Sequence, residues 1–136
     1  MSSQSAADIG VKPLMTRPWG QIEKFYRWLV SEGLNMRGML SLVEQIEASQ
    51  YARALHAWTS MHDLCIVQVP CTFPDYLPFL RITPFFEGTI EFRYFDTLIE
   101  EKQWHRRVKE EDAFQRLERF IDQLHWVVRE KIRVPE

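Results

Sequence analysis

A chain of 136 residues, 46% hydrophobic and 26% charged, fits one globular domain that needs no metal or disulfide staple. Its formal net charge is −2, with six basic and six acidic side chains in residues 1–68 and eleven and thirteen in 69–136. Bulk attraction to a polyanion needs a basic face, so nucleic acid is disfavoured as a partner.

The aromatic load is heavy, with nine Phe, five Trp and four Tyr. Large rings fill a core or an interface with few residues. The two cysteines are Cys65 and Cys71. An extended chain would hold them about 20 Å apart, far beyond the roughly 7 Å between Cα atoms that a disulfide tolerates. Free thiols are expected, the state of a reducing compartment. The opening MSSQSAADIG lacks the basic flank and apolar run of a signal peptide. No stretch reaches the roughly 18 apolar residues of a membrane span. A soluble, cytoplasmic protein with no membrane partner is expected.

In chain order, residues 1–14 are small and polar and read as a flexible tail, leaving 15–136 as a single α+β domain. Thr16 offers an N-cap, Pro18 a first-turn proline, and Ile22, Phe25, Tyr26 and Leu29 recur at helical spacing. Gly33 followed by Leu34 suits a left-handed C-cap with its hydrophobic contact. Asn35 is the natural cap of a second helix striped by Met39, Leu40, Val43 and Ile46. The stretch 49–60 reads two ways. Its alanines can continue the helix through Trp58, but Thr, Ser and Trp favour a strand from near Ala54. In that strand reading the chain turns at His62 and Asp63, which sets Cys65 opposite Ser60 and His56 opposite Val69. Three prolines between positions 70 and 78 demand a loop.

The segment LRITPFFEGTIEFRYFDT, residues 80–97, reads as a β-hairpin. Leu80, Ile82 and Pro84 alternate with Arg81, Thr83 and Phe85; Ile90, Phe92 and Tyr94 alternate with Glu91, Arg93 and Phe95. The apolar sets face each other only if an odd number of residues separates the strands. A three-residue loop over 86–88, with Gly88 in the left-handed conformation, satisfies this. Thr97 and Glu100 then match a capping box, opening a short charged helix with Trp104 as its apolar anchor. The last helix carries Phe114, Leu117, Ile121, Leu124 and Val128 in one stripe, widened by Phe120 and Val127, with Asp112 and Arg116 as an i,i+4 pair. The fold expected is α+β: two N-terminal helices, an antiparallel meander of three to four strands, and one or two C-terminal helices packed on one sheet face.

Most chemistry is disfavoured. His56 and His62 share a face of the proposed strand but lie about 20 Å apart, too far to share an ion with bonds near 2 Å. No metal site and no cofactor are expected. Cys65, flanked by Leu64 and Ile66, reads as a small core residue, with Cys71 the more accessible thiol. There is no G-x-S-x-G elbow, and five scattered glycines form no phosphate loop. What remains is the polar face of the hairpin, where Arg81, Thr83, Glu91 and Arg93 gather beside Phe85 and Phe95, with Trp58 and Trp104 as an aromatic surface. The function expected is a small non-enzymatic protein-interaction module (adaptor, chaperone or inhibitor-like) that self-associates. The alternative is a small-ligand binder or small enzyme with a pocket between sheet and helices lined by Arg81, Glu91 and Arg93.

Overall fold

The computed structural model describes residues 14–73 and 75–126. Helix α1 (Trp19–Ser31) buries Ile22, Tyr26 and Leu29 of the expected stripe, and Phe25 is half-buried against the core. It starts two residues later than a Thr16 cap implies. The Arg17 N–H donates instead to the Ala57 carbonyl at 2.8 Å, which ties residue 17 to the edge of a strand. The other end closes as expected: Gly33 takes φ +90° and the Leu34 N–H returns to Leu29 O at 3.1 Å. Helix α2 (Arg37–Glu47) buries Met39, Leu42, Val43 and Ile46. Leu42 thus takes the place expected of Leu40, which is half-buried. Asn35 does not cap α2. Its side-chain amide reaches Phe86 O at 3.1 Å, tying the interhelical corner to a hairpin loop.

Only one 3-10 turn, Gln50–Arg53, follows α2 before the chain becomes extended. Strands β1 (His56–Ser60) and β2 (Asp63–Val67) therefore vindicate the extended reading of this stretch. Their register differs from the one expected. The turn falls on Met61, at φ 56°, and His62, so Trp58 lies opposite Cys65 and His56 opposite Val67. A shift of two residues keeps every side chain on its face, so alternation alone cannot exclude it.

Strands β3 (Phe79–Pro84) and β4 (Thr89–Phe95) pair with Phe79 opposite Phe95 and Pro84 opposite Ile90. That is the register of a three-residue loop, and Gly88 in it takes φ +90°. In the next segment the expected helix is reduced to one 3-10 turn, Glu100–Lys102. Thr97 and Glu100 form no capping box; the Thr97 hydroxyl accepts from the Ile99 N–H at 3.2 Å, and residues from Trp104 form a fifth strand. Strand β5 (Trp104–Lys109) pairs with β4 along its whole length. Its Arg- and Lys-rich sequence has helical propensity, but the ladder offered by β4 overrides so weak a preference. The sheet runs β1-β2-β3-β4-β5, five antiparallel strands rather than three or four.

Helix α3 (Ala113–Leu124) buries Leu117, Phe120 and Ile121 and ends at His125, φ 52°. Leu124 is exposed despite its place in the expected stripe, and Arg116 is buried. Arg116 makes no pair with Asp112: its guanidinium lies over Trp104, 5.3 Å from the ring centre, and donates to Gln123 Oε1 at 3.0 Å. Val127, Val128 and all but the last residue of the expected tail lie outside the described residues.

All three helices cover one face of the sheet. Ile22, Tyr26, Met39, Val43, Leu117 and Ile121 meet Leu64, Ile66, Leu80, Ile82, Ile90 and Phe92 in one core. Helix α2 also meets the turn before α3 at Gly38. A Cβ there would sit 2.6 Å from Glu110 Oε2 and 2.8 Å from Glu110 Cβ. Alanine is the better helix former by about 1 kcal/mol, yet Gly38→Ala should destabilise the protein by about 1–3 kcal/mol because α2 must retreat. Thermal denaturation reads this directly, and a raised midpoint would show that Glu110 yields without consequence.

Candidate functional site

The alternation that buries Leu80, Ile82, Ile90 and Phe92 turns their neighbours to the other face. Trp58, Cys65, Arg81, Arg93 and His105 form one cross-strand row there, and Thr83, Glu91 and Arg107 part of the next. With strands about 4.8 Å apart, the first row runs roughly 14 Å from Trp58 to Arg93. Arg81, Thr83, Glu91 and Arg93 come together as expected, lining a depression of about 430 Å³ with Phe95, Glu100 and Gln103. It lies on the open face of the sheet, not between sheet and helices, because the helices cover the opposite side chains.

Arg81 stands directly opposite Arg93, an arrangement that repels unless neutralised. Asp63 at the start of β2 supplies one counter-charge, 2.5 Å from Arg81 Nε. Arg93 is held more loosely, 3.5 Å from Glu91 Oε2 and 3.4 Å from Gln103 Oε1. Glu91 is shared with His105, whose Nδ1 lies 3.7 Å away. Such half-exposed pairs contribute about 1 kcal/mol or less. Arg81 is therefore committed to Asp63, while much of the Arg93 donor fork stays open to a ligand.

A second depression, about 290 Å³, shares Arg81 and Phe95 with the first and is walled by Trp58, Phe73, Tyr76 and Phe79. A third, about 220 Å³, joins it at Tyr76 and continues to Val69 and Leu77. The rings pack on one another: Phe79 stacks on Phe95 at 4.7 Å, and Phe73 on Tyr76 at 5.8 Å. Phe73 and Leu98 remain 65% and 75% exposed. The contribution of loop 70–78 was not anticipated from sequence, although large apolar residues between prolines were its visible signal. Trp58 and Trp104 do not form one surface. Trp58 is buried beneath the aromatic depression at one edge of the sheet, whereas Trp104 lies on the helix face at the other edge, 5.5 Å from Phe120.

Cys65 and Cys71 are free thiols, as expected, but both are buried in one cluster with Trp58, Val67 and Phe79. Loop 70–78 folds back over β2, so Cys71 is not the accessible thiol that an extended connection implied. Burial pushes the Cys65 thiol up to about 12, with Arg81 opposing more weakly, and burial raises Cys71 too. Neither is a thiolate near neutral pH, the form that attacks an electrophile. Among the described residues no group of three His, Cys, Asp or Glu side chains converges on a metal position, and no helix is long and apolar enough to cross a membrane.

The raised Cys65 value has a consequence for stability. The native thiol stays protonated to about pH 12 whereas the unfolded one ionises near 9. Across that window the unfolded state binds fewer protons, so stability falls as pH rises. Denaturation in urea at several pH values from 8 to 11 should show this fall, and Cys65→Ala should flatten it; an unchanged slope would mean that the thiol ionises in the native state. No family model, curated protein or solved structure matches the chain.

Proposed function

We propose that the protein is a non-enzymatic interaction module whose open sheet face receives an extended segment of a partner protein. The observation that carries this reading is the continuity of the three depressions, which meet at Arg81, Phe95 and Tyr76 and are rimmed by exposed Val69, Phe73, Leu77 and Leu98. A run of exposed apolar side chains beside polar groups is the usual mark of a protein-binding surface. The depressions are shallow and open to solvent, which suits a peptide crossing the strands better than an enclosed small molecule. Chemistry sorts along the row: an aromatic or aliphatic side chain fits over Phe73 and Phe79, and a carboxylate fits the open fork of Arg93. The buried, protonated thiols supply no nucleophile to this face, which favours binding over catalysis.

Self-association through the free edge of the sheet is disfavoured, because β5 presents Arg106, Arg107 and Lys109 there and two copies would repel. A second copy packed face to face is the competing occupant. Titrating ¹⁵N-labelled protein with short peptides that carry one aromatic and one acidic residue should shift amides of Phe73, Phe79, Arg81 and Arg93. Phe73→Ser with Leu98→Ser should weaken the best peptide at least tenfold, about 1.4 kcal/mol, and Arg93→Ala should act only on peptides that keep the acid. Shifts confined to other surfaces, or none at millimolar peptide, would overturn the reading. A concentration-dependent dimer in sedimentation velocity, abolished by Phe73→Ser with Leu98→Ser, would replace the partner segment with a second copy.

A further inference from the structure

On the opposite side of the sheet, where β5 meets the first half of α3, Arg106, Val108, Asp112, Gln115, Arg116 and Arg119 line a depression of about 210 Å³. The register sets Arg106 opposite Phe92, on the helix face. Arg116 and Arg119, three residues apart on α3, share one side of that helix. We infer that this depression is a binding site for a phosphate-type oxyanion.

Three guanidinium groups line it against one carboxylate, Asp112, and among the described residues none of the three makes an ion pair. Arg27, Arg81, Arg93 and Arg107, by contrast, each have a carboxylate oxygen within 3.5 Å. Arg116 is 8% exposed, and its Nε is buried with no hydrogen-bond partner among the described residues. A buried donor left unpaired is costly, and like charges gathered around one depression add to that cost. Burial lowers the Arg116 pKa, and repulsion from Arg106 and Arg119 lowers it further. An anion in the depression would offset the repulsion among the three guanidinium groups.

The chemistry favours phosphate over a carboxylate. Forks arriving from two elements suit a tetrahedral group with several acceptor oxygens, whereas a carboxylate is satisfied by one fork in its own plane. Trp104 holds the forks in place, with Arg116 at 5.3 Å and Arg106 at 6.0 Å from its ring centre.

The test is titration of the ¹⁵N-labelled protein with inorganic phosphate in chloride at fixed ionic strength and pH 7.5. Saturable shifts of the Val108 and Gln115 amides are expected. Arg106→Gln and Arg119→Gln, both at exposed positions, should each weaken phosphate at least tenfold while the fold persists. Lys102→Gln removes the same charge outside the depression and should leave affinity unchanged. A parallel titration with a phosphoserine peptide separates sources: tighter binding than inorganic phosphate assigns the group to a protein partner, and equal binding assigns it to a free phosphate. Linear, unsaturable shifts with both probes, or equal weakening by Lys102→Gln, would overturn the site.

Discussion

The register of the β3–β4 hairpin governs the remainder of the structure. With Gly88 at φ +90° in a three-residue loop, Ile82 meets Phe92 and Leu80 meets Tyr94 on the helix side. A slip of one residue would turn one strand over relative to the other, sending either Arg81 or Arg93 into the core and exposing Ile82 or Phe92. Burying Leu80, Ile82, Ile90 and Phe92 is worth on the order of 6–12 kcal/mol gross, so the slipped arrangement has no compensation. Every later feature inherits this choice: which face the helices cover, where the arginines stand, and which edge β5 completes.

A sheet covered on one side must deal with its other side, and here the two halves do so differently. Toward β1 the loop 70–78 folds over Trp58, Cys65 and Phe79 and makes a second, smaller apolar cluster. Toward β5 no described loop covers the face in this way, and it is built of charges balanced pair by pair, Arg81 with Asp63 and Arg93 with Glu91. The boundary between halves runs through Arg81 and Phe95, which belong to both depressions. The edges are managed too: the N-terminal segment bonds to β1 through Arg17, and β5 is blunted by its own cations.

The arginines of the open face and those beside α3 differ for a physical reason. Those on the open face have acidic neighbours one strand or one turn away and are neutralised locally. Arg106, Arg116 and Arg119 sit where β5 crosses α3, with Asp112 the one carboxylate lining the same depression and two other acidic side chains engaged elsewhere. Glu110 packs on Gly38, and Glu118 accepts from the Tyr51 hydroxyl at 3.4 Å. Trp104 supports this second group by stacking rather than by charge. A positive depression kept unneutralised in an otherwise balanced, slightly acidic chain is the departure from local pairing that points to an external anion.

The sequence by itself determined the α+β class, the buried Ile22, Tyr26 and Leu29 of α1, the buried Leu117, Phe120 and Ile121 of α3, the Gly33 terminus and the β3–β4 hairpin with its loop length. Each depends on interactions within a few residues, or on a face rule that has only two outcomes. It also identified Arg81, Thr83, Glu91 and Arg93 as neighbours, because they belong to that same hairpin. Only the tertiary structure decided the rest. Strand β5 carries residues of helical propensity, and the ladder of β4 makes it a strand. The β1–β2 register admits two answers with identical faces, and the Met61 turn selects one. Asn35 and Thr97 have capping side chains, but Phe86 O and the Ile99 N–H claim them. Arg106, Arg116 and Arg119 meet because a strand edge and a helix cross, a contact between segments that no spacing along the chain encodes.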